Sequence, residues 1–446
     1  MDWPPSDSSN QMMLSRYCKI YPDRKDPDSV VLLSTRQASI ATVPRALLED
    51  IKNNTLNEDD RTTLADLGLL AESHEDETLE MAGLWDELNS MNYVFKSYVA
   101  MNLDCNLACK YCFEGLRKGK FYMSRETADA FVGFVEKKVS ANKTLNEIHI
   151  VYYGGEPLLS TELILHMSGG LKALAKSLGI EYSASIITNG TLLTQKTAEK
   201  LRTVGIMDAS VTLDGPKKIH DSYRPLKSGR GSFDRIVRNL KEVCDMLDVQ
   251  IGGNYTQDNY RQFPLLLDYL IKEGLGPDRI ADARFDFVTN ESEGYGPPDF
   301  HDGTFSINDP WLFDAVLYLR GEISKRGYKR VNLAPWSCMM ELRDRMVVNY
   351  NGDIYKCPSL IGREEFKVGN ILSGVKDYSK SHNLNNWKNE KCLDCVYLPL
   401  CFGGCRYMKL VRDGNMEGVD CKKPYLDAVL EKLVLQDIKY AAQMKI

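Results

Sequence analysis

Apolar and polar positions change their spacing repeatedly between residues 94 and 325. Short runs that alternate, or that are apolar throughout, are typical of strands, and the stretches between them have the apolar spacing of helices. Six strands are predicted in this way, at 95–102, 147–153, 182–188, 207–213, 249–255 and 282–289. Six β/α units in series predict an α/β fold in which a parallel sheet curls into a partial (β/α)6 barrel.

The helical stretches carry local signals that support this fold. Ser124 and Thr194 stand at the start of two of them, where a hydroxyl can cap the helix N-terminus. A third stretch places five residues on one helical face, which we interpret as core: Phe233, Ile236, Val237, Leu240 and Cys244.

The chain outside 94–325 divides into further units. Residues 1–14 are expected to be a disordered tail. Residues 15–93, with three short predicted strands followed by helices, are predicted to form a small α+β domain. Residues 326–425 are rich in loops and cysteines, so we expect bound metal to organise them. Residues 426–446 are predicted to form a closing helix.

Composition narrows the class of protein. The 446 residues are enough for two or three domains. With 56 Lys and Arg against 62 Asp and Glu, the net charge is −6 and no long run of either sign occurs, so we expect neither nucleic acid nor a membrane as partner. No stretch approaches the ~18 apolar residues of a membrane span, and the N-terminus lacks the pattern of a signal peptide, so a cytoplasmic protein is expected.

Cysteine is the informative residue type. Of the 12 cysteines, three lie within 105–112 and seven within 338–421. Because the cytosol keeps thiols reduced, such clusters predict metal ligation and not a disulfide framework. The remaining two, Cys18 and Cys244, are expected to be structural.

The first group, Cys105-x3-Cys109-x2-Cys112, has an odd number of ligands. Zinc sites usually have four, and the six histidines of the chain include none nearby. A [4Fe–4S] cluster, by contrast, tolerates a non-protein ligand at one iron. The motif, with Tyr111 before its last cysteine, resembles the signature of the radical S-adenosylmethionine (SAM) superfamily. That resemblance implies that SAM completes the cluster.

"GGEP" (154–157), "TNG" (188–190) and "DG" (214–215) follow the second, third and fourth predicted strands and should lie with the first cysteine group at the same rim of the barrel. "GGEP" resembles the superfamily motif that meets the SAM amino group, "ITNGTLL" the turn that meets its ribose, and Arg224 is the candidate for its carboxylate. The resemblance therefore implies the following SAM-binding residues: Tyr111, Gly154, Gly155, Glu156, Pro157, Asn189 and Arg224. It also implies an external one-electron reductant, a flavodoxin or ferredoxin, and a 5′-deoxyadenosyl radical that abstracts a substrate hydrogen.

The second group resembles the seven-cysteine SPASM extension of radical SAM enzymes that modify peptides and proteins. The resemblance implies two auxiliary [4Fe–4S] clusters, and hence three clusters in all. Auxiliary cluster I would take Cys338, Cys357 and Cys405, and auxiliary cluster II would take Cys392, Cys395, Cys401 and Cys421. Because "RVNLAPWS", before Cys338, contains no cysteine, we hypothesise that auxiliary cluster I has an open iron that can bind a substrate thiolate.

The domain at 15–93 resembles the winged-helix-like, PqqD-like recognition domains of ribosomal-peptide maturases, in particular those assigned to geopeptide-type precursors. Such domains bind the leader of a precursor peptide by adding it as a strand to their sheet. The predicted function is therefore a radical SAM maturase that forms a thioether between a cysteine sulfur and a carbon of the same precursor.

Other functions remain open at this stage. Carbon–carbon or carbon–oxygen crosslinking on the same scaffold is the nearest alternative. Sulfatase maturation to formylglycine is disfavoured, because that family usually has Asp after the second SPASM cysteine, where this chain has Pro358. An iron–sulfur electron carrier or a zinc-binding scaffold would explain the cysteines but not "GGEP" or "TNG".

Overall fold

The computed structural model describes residues 12–280, 282–291, 295–297, 299–335 and 338–441. Its N-terminal unit contains β1 (Met13–Leu14), β2 (Cys18–Pro22), β3 (Ser29–Ser34), β4 (Ile40–Pro44), α1 (Ala46–Asn53), α2 (Glu58–Asp66), β5 (Leu70–Ala71) and α3 (His74–Ser90). Strands β2, β3 and β4 form an antiparallel sheet, and β1 pairs with β5. The prediction of a disordered tail is therefore wrong for Met13 and Leu14, which form β1. Residues 1–11 lie outside the described residues.

The barrel follows as strands that alternate with helices, with two helices between its fourth and fifth strands. Its elements are β6 (Val94–Ala100), α4 (Arg125–Ala141), β7 (Glu147–Tyr153), α5 (Thr161–Leu178), β8 (Glu181–Thr188), α6 (Gln195–Thr203), β9 (Ile206–Thr212), α7 (Lys217–Tyr223), α8 (Phe233–Val243), β10 (Asp248–Tyr255), α9 (Phe263–Lys272), β11 (Asp282–Phe287) and α10 (Pro310–Lys325). Strands β6 to β11 are parallel neighbours in chain order. All six predicted strands are thus present in the structure.

The local predictions for the helices also agree with the structure. The Ser124 hydroxyl accepts a hydrogen bond from the Thr127 amide at 3.1 Å, and Thr194 accepts one from Thr197 at 3.3 Å. The predicted apolar face of α8 is buried, with Cys244 at its C-terminal cap. Among the described residues, no helix combines the length and the apolar character that a membrane crossing needs.

The cysteine-rich region is joined to the barrel by its sheet. It contains β12 (Arg345–Val348), β13 (Asp353–Tyr355), β14 (Gly369–Asn370), β15 (Gly374–Val375), α11 (Glu390–Leu393), α12 (Leu398–Cys401), α13 (Arg406–Asp413) and α14 (Lys423–Ala441). Strand β12 lies parallel to β6, and β13 to β15 extend the sheet to ten strands. The predicted boundary at 326 therefore marks the end of a helix and not the end of the sheet.

Two apolar clusters attach the N-terminal unit to the cysteine-rich region. In one, Tyr17 and Trp85 pack with Leu398, Phe402 and other residues. In the other, residues of β2 and β3 pack against α12 and α14. The closing helix α14 begins at Lys423, three residues before the predicted start, and residues 442–446 lie outside the described residues.

A buried ion pair stabilises the cysteine-rich region. Arg406, 1% exposed, donates to the carboxylate of Glu341 and through Nε to the Asn383 carbonyl at 3.0 Å. Removing one partner of a buried pair leaves the other charge uncompensated.

We therefore expect Arg406→Ala to lower the free energy of unfolding by about 3–5 kcal/mol, because Glu341 would remain buried without its cation. Arg24→Ala is the matched control, since Arg24 pairs with Glu431 at the surface, where loss of a pair costs at most about 1 kcal/mol. Urea unfolding of both variants measures the difference, and equal losses would contradict the assigned role of Arg406.

Candidate functional site

The loop after β7 packs directly on the loop after β6. The Gly155 amide donates to the Asn102 carbonyl at 3.1 Å, and the Glu156 amide donates to the Asp104 carbonyl at 2.7 Å. A Cβ atom on Gly155 would lie 2.1 Å from the Asp104 carbonyl oxygen, and Gly154 has a φ of +134°. The two glycines therefore permit contact between the loops. Their predicted place in SAM binding stays a prediction.

Glu156 joins a third loop to these two. Its carboxylate accepts from the Leu158 amide at 3.0 Å, the Thr188 hydroxyl at 2.7 Å and the Asn189 amide at 2.8 Å. The side chain is 0% exposed, and burial raises its pKa although the three donors oppose that shift. The structure thus gives Glu156 a positioning role between the loops, and its predicted contact with the SAM amino group stays a prediction. Pro157, next to it, is buried at the start of a short 3-10 helix.

Asn189 links the turn after β8 to the first cysteine. Its side-chain amide donates to Asn106 Oδ1 at 2.8 Å and lies 3.8 Å from Cys105 Sγ. The oxygen of the same amide accepts from Thr191. Asn189 is buried, so these bonds fix the orientation of Cys105.

Tyr111 belongs to a second buried network at the same edge of the barrel. Its hydroxyl donates to Asp214 and accepts from Arg224 Nη1 at 2.6 Å and from Asn254 Nδ2 at 3.1 Å. Asp214, which follows β9, is 0% exposed, and Asn254 is near the end of β10. We did not predict these last two as site residues, although their positions at strand ends are the signal that placed the other motifs at this rim.

Arg224 lies where a ligand carboxylate could meet it. The residue is 8% exposed, and its Nη1 is 3.9 Å from Asp214 Oδ2. Its Nε is buried and has no hydrogen-bond partner in the described structure. Burial by itself would lower the pKa of Arg224. The nearby Cys109, Tyr111 and Asp214 have the larger, opposite effect and raise this pKa well above its ordinary value, so the guanidinium stays cationic. A buried donor beside Cys109 fits the carboxylate of SAM.

Lys118 lies near the first cysteine triad (Cys105, Cys109 and Cys112). Burial lowers the pKa of Lys118, but the fields of all three cysteines raise that pKa above its ordinary value. Burial also raises the pKa of Cys105 to about 12. Thiols of this kind stay protonated at neutral pH unless a metal ion stabilises the thiolate, so the donor set fits an iron–sulfur cluster.

The second cysteine triad (Cys338, Cys357 and Cys405) lies in a buried cluster beside the barrel. All three cysteines pack against that one cluster. Burial raises the pKa of Cys357 to about 12, and the fields of Cys405 and Cys338 add to the shift. Cys405 lines a cavity of 420 Å³ whose wall also includes Tyr111 and Asn254 of the first site. One cavity therefore reaches from Tyr111, which precedes Cys112 of the first triad, to Cys405 of the second triad.

The cysteine tetrad (Cys392, Cys395, Cys401 and Cys421) lines a cavity of its own, 580 Å³ in volume. All four predicted ligands of auxiliary cluster II thus face one space, which fits a cluster with four thiolate ligands. In the described part of the chain, no three His, Cys, Asp or Glu side chains come close enough to hold a single metal ion.

The other two cysteines lie apart from these sites, as predicted. Cys244 is 8% exposed, belongs to the barrel core and donates from its thiol to the Leu240 carbonyl at 2.8 Å. Cys18 packs against the core of the N-terminal unit.

Substituting Gly155 by Ala should separate the loops that hold the first triad. The added methyl group clashes with the Asp104 carbonyl, so we expect a loss of about 1–3 kcal/mol in unfolding free energy and less iron bound at the first triad. Gly169→Ala in α5 is the matched control, because nothing lies within 4 Å of its Cβ position, and it should gain about 0.5–1 kcal/mol. Urea unfolding and iron analysis measure both effects, and a Gly155→Ala chain with normal stability and iron content would refute the role of this contact.

Comparison with known proteins identifies the barrel. Residues 101–268 match the Radical SAM superfamily. The chain is 24% identical over 383 residues to the serine-type anaerobic sulfatase-maturating enzyme of Bacteroides thetaiotaomicron, a match that covers 74% of this chain and 90% of that protein. It is 25% identical over 356 residues to the mycofactocin maturase MftC of Mycolicibacterium smegmatis, covering 74% and 82%.

Solved structures share the fold. The structure of anSMEcpe with bound AdoMet has a TM-score of 0.60 and 20% identity, covering 77% of this chain and 98% of that one. The structure of Streptococcus suis SuiB bound to precursor peptide SuiA has a TM-score of 0.54 and 17% identity, covering 92% and 99%. The strand order and the cysteine-x3-cysteine-x2-cysteine loop agree with these matches: residues 101–268 of this chain match the Radical SAM superfamily, and the barrel shares the fold of these solved structures.

Proposed function

We propose that this protein is a maturase that abstracts hydrogen from a ribosomally made precursor peptide and joins a cysteine sulfur to a carbon of that peptide. The observation that carries the proposal is the 420 Å³ cavity that reaches from Tyr111, beside the first triad, to Cys405 of the second triad. A peptide side chain in this cavity would lie between a site that generates a radical and a site with room for a sulfur ligand.

When bound at the first triad, a [4Fe–4S] cluster with SAM supplies reductive cleavage of SAM to methionine and a 5′-deoxyadenosyl radical. The residues of the chain bind and orient these groups. Arg224 offers its free Nε to the SAM carboxylate, Asn189 donates to Cys105, and Glu156 holds the loops in register. Apolar side chains, including Phe287 and Met408, form part of the cavity wall, next to charged residues such as Arg284 and Asp286.

The second triad supports the choice of a thioether product. Three cysteines hold three corners of a four-iron cluster and leave one corner for a ligand from outside the chain. Because Cys405 faces the cavity, a substrate thiolate could reach that corner. In this proposal the sulfur is held as thiolate at auxiliary cluster I, and auxiliary cluster II is bound by the tetrad.

The N-terminal unit is proposed to bind the leader of the precursor. Its β4 is an edge strand of the antiparallel sheet. The Arg45 amide donates to the Asp28 carbonyl, and the Ser39 carbonyl accepts from the Ser34 amide. The backbone N–H and C=O groups of residues 39, 41, 43 and 45 therefore point toward β3. Thr42 therefore points its N–H outward, where an added strand could accept it.

Sulfatase maturation is the second candidate, because a sulfatase-maturating enzyme is among the relatives with long matches. Two observations favour peptide crosslinking. Pro358, which carries no proton-accepting group, follows Cys357. The likeness to SuiB bound to precursor peptide SuiA also covers 92% of this chain, against 77% for anSMEcpe.

The product can be tested by mass and by thiol reactivity. Cysteine-containing peptides encoded beside the gene would be incubated without oxygen with the reconstituted protein, SAM and a reductant. Because a thioether replaces one S–H and one C–H bond, we expect a loss of about two daltons per link, together with loss of one free thiol that reducing agents do not restore. Loss of the same mass with every thiol still reactive would favour a carbon–carbon or carbon–oxygen link, and formylglycine in a sulfatase-derived peptide would favour sulfatase maturation.

Leader binding can be tested at β4. Thr42→Pro removes the outward N–H without touching the bonds between β4 and β3, so we expect the precursor peptide to bind about fivefold to tenfold more weakly. Thr42→Val, which keeps the N–H, is the matched control and should bind like the unaltered protein. Fluorescence anisotropy with a labelled peptide measures the affinity, and equal affinity of the two variants would contradict binding at this edge.

A further inference from the structure

The N-terminal unit makes hydrogen bonds to the segment that carries two cysteines of the tetrad. The Thr35 hydroxyl shares its proton between the Val396 carbonyl at 2.6 Å and the Tyr17 carbonyl at 2.9 Å. The Tyr17 hydroxyl donates to the Leu393 carbonyl at 3.2 Å, which also accepts from Arg16 at 3.5 Å. Leu393 lies between the first two cysteines of the tetrad, and Val396 follows the second of them. The two bonds thus hold the backbone on both sides of Cys395.

These contacts are part of the protein interior. Tyr17 and Thr35 are both 0% exposed. Around them, Trp85 of the N-terminal unit packs edge to face on Phe402, with ring centroids 4.9 Å apart, and Phe402 directly follows Cys401. Removing the two hydroxyls would take the Thr35 donor from the Val396 carbonyl and leave the Leu393 carbonyl with the more distant Arg16, which weakens the hold on the segment.

We propose that Tyr17 and Thr35 are positioning residues for the iron–sulfur cluster of the tetrad, so that the N-terminal unit forms part of that site. The inference rests on the proposed function in one respect, the assignment of auxiliary cluster II to the tetrad. It gives the unit a second role besides peptide binding. Deleting residues 1–93 would remove both roles together, so such a deletion cannot by itself measure peptide recognition.

The test uses the full chain with two substitutions that remove only hydroxyl groups, Tyr17→Phe and Thr35→Val, alone and combined. Tyr21→Phe is the matched control: Tyr21 is in the same unit and 9% exposed, and it packs against the cysteine-rich region, but in the described structure its hydroxyl makes no hydrogen bond to segment 392–396. After reconstitution, iron per chain and the rate of iron release to a chelator would be measured, with low-temperature electron paramagnetic resonance of the reduced protein.

We expect the double variant to lose about four iron atoms per chain, the content of one cluster, or to release that pool at least tenfold faster, with a change in one of the resonance signals. The Tyr21→Phe chain should match the unaltered protein. Circular dichroism and thermal unfolding verify that each variant is folded. A folded double variant with unchanged iron, release rate and spectrum would overturn the proposal.

Cys392→Ala and Cys421→Ala separate this proposal from the proposed function. If they remove one cluster while the hydroxyl variants remove none, the tetrad binds a cluster but the N-terminal unit does not position it, and the inference fails alone. If neither cysteine variant changes the iron content, the assignment of the cluster to the tetrad fails first.

Discussion

The first site depends on the buried carboxylate of Glu156. A carboxylate without exposure to water is costly unless donors surround it, and here three donors from two loops do so. The amide of the same residue bonds to the loop that carries the first triad. Loops after three successive strands thus meet at Glu156. Glu156 holds the backbone amide of Asn189, and the Asn189 side chain in turn contacts Cys105 Sγ, so Glu156 also helps to place Cys105.

The distance between the two triads is fixed by strand pairing. The first triad follows β6, and β12 is hydrogen-bonded to the other edge of the same strand. Strand β13 continues from β12 and leads to Cys357 two residues after its end. The cavity between the triads therefore has one wall from the barrel and one from the cysteine-rich region, both attached to a common sheet. A flexible linker between separate domains would not hold the two sites at a constant distance.

The six strands of the barrel could be predicted because each combines an apolar run with a helical stretch after it. The two groups of cysteines could be assigned because ligand spacing is short-range information, and all four members of the tetrad do line one cavity. Contacts between loops were not predictable from the sequence. The glycines of "GGEP" pack against the backbone of Asn102 and Asp104, about 50 residues earlier in the chain, and no local pattern indicates that contact. The same limit applies to β12, since nothing in "RMVV" indicates which strand it joins.

The pairing of β12 with β6 also has a consequence for synthesis. Residues 96–99 pair with residues 345–348, which are added about 250 residues later. At the ~5–20 residues per second of translation, one edge of β6 waits roughly 12–50 s for its partner. An unpaired edge strand is a template for pairing with other chains. Recombinant production at low temperature, or with abundant chaperones, should therefore yield more folded protein, and a chain cut before residue 345 would expose that edge permanently.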